Sequence, residues 1–207
     1  MKSIDIKSVI IGILGTVFVF VSIGATDKNL GDITVNSITV LSDGSGGYIK
    51  TYNSDGKQTS YFGTSVEGGG VLKISNAEGI KEVYLGSSVE GGGVLRIFNA
   101  EGIEEVYLGD GGEGKGGGLL EISNSDGKKT AYIGTSNGGD SGHLSTYNTD
   151  GTKISYIGSG ESGNGFLEIY NKLGVKTGYF GTDIHNDGAM GLFDRYGKSG
   201  FTAFGKE

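Results

Sequence analysis

Two stretches, VEGGGVLKISNAEGIKEVYLGSS from Val66 and VEGGGVLRIFNAEGIEEVYLGDG from Val89, are near copies of each other 23 residues apart. They are one adjacent pair in a longer array. Turn signatures recur as NSDG from Asn53, NAEG from Asn76 and Asn99, NSDG from Asn124, NTDG from Asn148, NKLG from Asn171 and DRYG from Asp194. Each is followed by a second mark, YFG at Tyr61 and Tyr179, YLG at Tyr84 and Tyr107, YIG at Tyr132 and Tyr156, then AFG at Ala203. The result is seven units spaced 23 to 25 residues apart. The extra residues fall in Gly/Ser-rich joints such as GDGGEGKGGG, where insertion costs little. No other feature constrains the fold as much. A unit this short cannot bury its apolar face alone, so it has to lie against its own copies or another chain.

Within a unit, the Asn or Asp opening the turn can accept bonds from backbone N–H groups further along it. The closing glycines, Gly56, Gly79, Gly102, Gly127, Gly151, Gly174 and Gly197, suit the left-handed residue that ends a type I turn with a bulge. Runs such as VLKIS and KEVYLG flank the turn and are rich in β-formers. The unit therefore reads as strand, tight turn, strand, glycine joint. After residue 27 no glycine-free segment holds a 3.6-residue period for three turns, which argues against helices. Leu72/Ile74, Leu95/Ile97, Leu120/Ile122 and Leu167/Ile169 share one parity, and Val83/Leu85 and Val106/Leu108 share another, with Tyr84 and Tyr107 opposite. The pattern leaves open whether Leu72 meets Leu85 or Tyr84. Either way both faces carry apolar or aromatic groups, so one layer would leave a face uncovered. The expectation is an all-β repeat domain, a β-solenoid of seven two-strand units of about 23 residues with stacked Asn, Tyr and Leu ladders. The alternative is an antiparallel β-meander packed in a homotrimer.

The amino terminus has a different character. SVIIGILGTVFVFVSIGAT, residues 8–26, holds 19 residues without a charge, behind Lys2 and Lys7. As a helix it spans roughly 28 Å, close to the ~30 Å hydrocarbon core. Residues 1–26 are thus expected to be a signal peptide or an N-terminal transmembrane helix whose basic side stays in the cytoplasm. Residues 27–45 read as a linker with a strand-like segment, DITVNSITVL, at 32–41, and 46–207 as the repeat domain. That strand is a candidate for pairing with a neighbouring subunit at an open sheet edge. The predicted location is the cell surface or the extracellular space, with the membrane engaged through residues 8–26 if they are uncleaved.

Forty-three glycines would signal low complexity were they not in register with Val, Ile, Leu and Tyr. The absence of cysteine excludes disulfides and thiolate metal sites. A net charge of −7 argues against nucleic acid as a partner. GDGGEG from Gly109 matches a phosphate-loop pattern, but a strand-like run follows it where the chemistry needs a helix. His143 and His185, the only histidines, fall in different units and suggest neither a catalytic set nor a metal pair. Asp110, Glu113, Asp140, Asp183 and Asp187 in the joints offer oxygen ligands for weak Ca²⁺ binding, without the repeat motif of calcium β-rolls. No catalytic, cofactor or metal residue is therefore assigned. Two aromatic sets stand out: Tyr52, Phe98, Tyr147, Tyr170 and Phe193 at one repeat position, and Tyr61, Tyr84, Tyr107, Tyr132, Tyr156 and Tyr179 at another. The second is either a packing ladder or a stripe able to hold sugar rings or a partner.

The motif Gly-Gly-x-Leu-x-x-x-Asn-x-Asp-Gly-Lys…Tyr-x-Gly stands here as GGYIKTYNSDGKQTSYFG and GGLLEISNSDGKKTAYIG. Together with the apolar amino terminus, it resembles a group of bacterial surface or secreted glycine-rich β-hairpin-repeat proteins, over roughly residues 46–205. The resemblance implies export and a β-repeat body, and it implies no activity. The 23-residue period also looks like MORN repeats, but their Tyr-x-Gly-x-Trp core is missing from this chain, which has no Trp. The functional expectation is a non-enzymatic structural protein, a self-associating stalk or filament subunit that forms a homo-oligomer such as a trimer. The competing expectation is a surface binding module recognising glycans or another surface protein.

Overall fold

The computed structural model describes residues 35–41, 46–88, 92–110, 117–135, 141–160 and 163–205. The chain divides into two compact units, Met1–Thr39 and Val40–Glu207. In the second, the described residues form fourteen strands in one open sheet whose order is the order of the sequence. The first strands of the hairpins are β1 (Tyr48–Tyr52), β3 (Gly70–Ser75), β5 (Gly93–Phe98), β7 (Gly118–Ser123), β9 (Gly142–Tyr147), β11 (Gly165–Tyr170) and β13 (Gly188–Phe193). The second strands are β2 (Gln58–Thr64), β4 (Lys81–Ser87), β6 (Glu104–Asp110), β8 (Lys129–Thr135), β10 (Lys153–Ser159), β12 (Lys176–Thr182) and β14 (Ser199–Phe204). No helix occurs among the described residues, and the helix expected at 8–26 lies outside them.

The sheet is an antiparallel meander, not the wound coils of the expected solenoid. The joints decide this. Ser65 N–H donates to Gly69 O at 2.7 Å and Gly68 N–H to Ser65 O at 3.0 Å, so a joint closes as a tight turn and returns the next strand beside the last. A coil would need corners that carry the chain away from the sheet. Repeat counterparts therefore sit two strands apart, roughly 9.6 Å, instead of one strand apart. Residues 35–41, inside the segment expected to be strand-like, carry no strand assignment and are exposed.

The other set of turns is uniform. Asn53 Oδ1 accepts from Asp55 N–H at 3.1 Å and from Lys57 N–H at 2.9 Å, while Gly56 takes φ 75°. The same pair of acceptor bonds recurs at Asn76, Asn99, Asn124, Asn148, Asn171 and Asp194. Gly79, Gly102, Gly127, Gly151, Gly174 and Gly197 all stand between φ 77° and 85°, a region that a Cβ disfavours. The Asn amide also links one turn to the next: Asn53 Nδ2 donates to Ala77 O, Asn99 to Ser125 O, Asn148 to Lys172 O and Asn171 to Arg195 O, at 2.9 to 3.3 Å. These bonds run from side chain to backbone, so the ladder is not one of stacked amides.

Register settles the two faces. A bulge follows each asparagine-type turn, for example where Ser75 pairs with Lys81 and Ile74 with Val83. It restores parity, so Leu72 faces Leu85 and Lys73 faces Tyr84. One aliphatic row crosses the whole sheet: Ile49, Phe62, Leu72, Leu85, Leu95, Leu108, Leu120, Ile133, Leu144, Ile157, Leu167, Phe180, Met190 and Ala203. A parallel row on the same face includes Ile74, Val83, Ile97, Val106, Ile122, Ile169, Leu192 and Phe201. The core lies on the opposite, tyrosine-bearing face, where Val71, Val94, Phe98 and Ala189 are buried.

Candidate functional site

The Tyr-x-Gly mark is a clasp. Tyr84 lies over the glycine two residues on and donates its hydroxyl to Ser87 O at 3.1 Å. Tyr61, Tyr107, Tyr132, Tyr156 and Tyr179 make the equivalent bond to the carbonyl three residues on, at 2.7 to 3.1 Å. The glycine is needed because its missing side chain is the space the clasp occupies. A Cβ at Gly181 would stand 2.8 Å from the Tyr179 hydroxyl and 2.5 Å from Phe166 Cβ. An aromatic ring covering a strand glycine offsets the exposure and poor packing that glycine otherwise brings to a sheet. Between consecutive clasps stand Val71, Val94, Leu119, His143 and Phe166, each paired across the strands with clasp glycines. Where that residue is aromatic, the rings form a column. Tyr132, His143, Tyr156, Phe166 and Tyr179 stack with successive centroids 4.8, 5.1, 5.1 and 5.9 Å apart.

This geometry bears on the proposed stripe. All six tyrosines fall in one row, as the period predicts, but they are half-buried and their hydroxyls are bonded to their own chain. The arrangement is that of a packing ladder. His143 is held between two rings with Nδ1 enclosed and without a hydrogen-bond partner. Burial first, and then the positive charge of Lys153, holds its pKa below the ordinary imidazole value.

Above the rings runs a line of charge. Within each hairpin the residue facing the tyrosines and the bulge residue eight positions on lie on the same face. In three hairpins these form an ion pair, Arg96 with Glu104, Glu121 with Lys129 at 2.6 Å and Glu168 with Lys176 at 3.0 Å. The lysines also lie over aromatic faces, as Lys81 does 4.1 Å from the Phe98 centroid and Lys153 does 5.1 Å from those of Tyr156 and Tyr170. Tyr170 donates to Glu168, and burial together with that bond pushes its pKa up.

Among the described residues the aliphatic face has no such cover. Leu85, Leu108, Ile133 and Ile157 are each about half exposed, at 49, 49, 51 and 50%. Phe62 and Phe180 reach 62 and 65%. Neither apolar row contains a charged residue. Sequence alternation placed Leu85 and Leu108 at one parity of their strands, yet the undetermined turn parity hid that their row continues unbroken from β1 to β14.

Of the remaining sequence candidates, Asp110 lines a groove with Tyr84 and Tyr107, and Asp183 and His185 line another with Phe166 and Tyr179. GDGGEG spans the end of β6 and residues outside the described set, and the next described element is the strand β7. Among the described residues no group of three His, Asp or Glu side chains converges as a metal cluster. Asp183 Oδ1 is taken up by the N–H groups of His185 and Asp187, and Glu113 and Asp140 lie outside the described residues. Compared with known families and characterised proteins, the chain matches no family model and has no significant sequence match.

Proposed function

We propose that this chain is a non-enzymatic structural protein of the cell surface or extracellular space that assembles with copies of itself through the aliphatic face. One observation carries the reading: an unbroken apolar row crosses all fourteen strands beside a second row interrupted at Thr51, Ser60, Thr146, Ser155 and Gly178, both free of charge and, among the described residues, without a covering layer. At about 4.8 Å per strand the rows run roughly 60 Å, and with a width of about 13 Å they offer some 800 Å² per copy, the size of a standard interface. The occupant proposed is a second copy, face to face. The same rows on each molecule are self-complementary, and two inner faces packed about 10 Å apart form the core of a β-sandwich. Strands β1 and β14 leave open edges on which further copies can extend the sheet into a filament. Export is supported by the apolar segment at residues 8–26 and by the resemblance of the repeats to surface proteins.

The test is the solution mass of the full-length chain in mild detergent by sedimentation velocity, beside the double variant Leu108→Lys/Ile133→Lys. Each lost half-burial removes about 1 kcal/mol, so two sites in each of two copies weaken a dimer by about 4 kcal/mol, roughly a thousandfold in Kd. A dimer that becomes a monomer supports the proposal. A trimer would keep the face as the interface but replace the sandwich with the three-chain packing. A monomeric wild type, or a variant that assembles unchanged, refutes it.

A further inference from the structure

On the tyrosine face, the hairpin β3–β4 departs from the three hairpins that carry an ion pair. The positions that hold Arg96–Glu104, Glu121–Lys129 and Glu168–Lys176 elsewhere hold Lys73 and Lys81 here. Both ammonium groups gather around one ring, 5.9 and 5.7 Å from the Tyr84 centroid. Arg96 joins them from β5, with its guanidinium carbon 5.3 Å from the Phe98 ring that Lys81 also covers. Arg96 pairs with Glu104, whereas neither lysine forms an ion pair among the described residues; the carboxylates of Glu67 and Asp110 line the same groove. Burial first, then the charges of Arg96 and Lys73, lower the pKa of Lys81. Like charges held together against their repulsion are the signature of a site built for an anion.

The cations line a groove of about 530 Å³, within the range of small-ligand sites and far larger than a lone oxyanion fills. Beyond them the lining includes Tyr84, Tyr107 and Val94, and then polar groups that include Ser87, Ser88 and the carboxylates of Glu67 and Asp110. A positive end, an aromatic wall and hydroxyl and carboxylate partners in sequence match one ligand class. We propose that this groove binds an acidic saccharide, its carboxylate on Lys73, Lys81 and Arg96, its C–H face along Tyr84 and Tyr107 and its hydroxyls toward Ser87 and Asp110. The site lies on the face opposite the self-association surface and does not depend on it.

The experiment titrates the full-length chain with tri-galacturonate, with its fully methyl-esterified neutral form and with sodium sulfate, by calorimetry. The expected result is saturable binding of the uronate, about tenfold or more tighter than the neutral sugar and than sulfate, and weakened by salt. Lys81→Glu is the decisive variant, because it restores with Lys73 the ion pair its neighbours have and so should melt no lower than wild type. It is expected to weaken uronate binding by at least about tenfold. No saturable binding, equal affinity for the neutral trimer, sulfate binding as tightly as the sugar, or a well-folded Lys81→Glu that binds unchanged each overturns the proposal.

Discussion

Gly134→Ala tests the clasp directly. Gly134 has no unusual φ, so the substitution adds one methyl group and no left-handed strain. That methyl would stand 2.6 Å from Leu119 Cβ, 3.0 Å from Leu119 Cα and 3.0 Å from the Tyr132 hydroxyl. Leu119 Cα and Cβ are fixed to the β7 backbone, so the methyl strains the β7–β8 pairing, and the Tyr132 hydroxyl has to move off Gly134 as well. Its departure breaks the 3.0 Å bond to Thr135 O and the 4.8 Å stack on His143. Overpacking costs about 1–3 kcal/mol, the hydrogen bond about 1 and the ring contact about 0.5–1.5, which together amount to roughly 4 kcal/mol. For a chain of this size that lowers Tm by about 8–16 °C in a thermal scan followed by near-ultraviolet tyrosine signal. Gly142→Ala in the facing strand is the control, since its Cβ meets only Gly134 O at 3.9 Å. It should be neutral or slightly stabilising, because alanine restricts the unfolded chain. If the two variants melt together, the tyrosines do not need their glycines and the clasp is not what the Tyr-x-Gly mark encodes.

His143→Phe addresses the aromatic column and its pH dependence. The folded-state pKa of His143 is lowered, so the unfolded chain takes up the proton more readily than the folded one. The stability contributed by the neutral ring is present above the unfolded pKa of roughly 6.5 and is lost as pH falls below it. Wild type should therefore lose Tm between about pH 7 and pH 5, and His143→Phe, which copies Phe166 at the equivalent position, should lose less. An identical slope in both proteins would exclude His143 as the source. Asn99→Asp separates the two jobs of the turn residue: it keeps the acceptor bonds to Glu101 and Ile103 N–H but loses the donor bond to Ser125 O. The expected cost is about 1 kcal/mol in denaturant unfolding. Asp194→Asn, at the last described turn, should be neutral, and equal effects at the two sites would refute the linkage between turns.

Much of the strand order was legible because it is written in local chemistry. Asn-x-x-Gly specifies its own turn through one side chain and one backbone conformation, and the joints do the same with Ser65 and Gly68. The turn glycine announces one bulge, but local chemistry does not announce a second. Nothing from Ser75 to Lys81 says that a further extra residue, Glu82, will follow, yet it decides whether Leu72 faces Leu85 or Tyr84. The preference for a solenoid came from the same gap, since strands that wind and strands that fold back share one alternation and one period. The tyrosines were found by their spacing. Their role was hidden because it depends on a glycine two positions on and on a neighbour about a dozen residues away, such as Val94 between Gly86 and Gly109. The paired lysines of β3–β4 drew no notice in the sequence for a related reason. Lys73 and Lys81 become exceptional only beside Arg96–Glu104 in register.

The two faces also explain why the unit is repeated so many times. On the tyrosine side each hairpin completes its packing with its immediate neighbours, through a clasp, a flanking residue and an amide link, so a few units suffice for a fold. On the aliphatic side each hairpin adds exposed side chains, such as Ile97 and Leu108 beside the half-buried Leu95 and Val106, that its neighbours touch only edge to edge. Association carries a largely fixed cost, about 4–15 kcal/mol, that is met once, whereas the gain grows with every hairpin added. A two-hairpin version of this sheet would hold its tyrosine face together and remain a monomer. Seven hairpins bring the apolar strip to the area at which specific interfaces become stable. Array length therefore acts on assembly more steeply than on folding, and loss of hairpins should dissolve the oligomer before it melts the sheet.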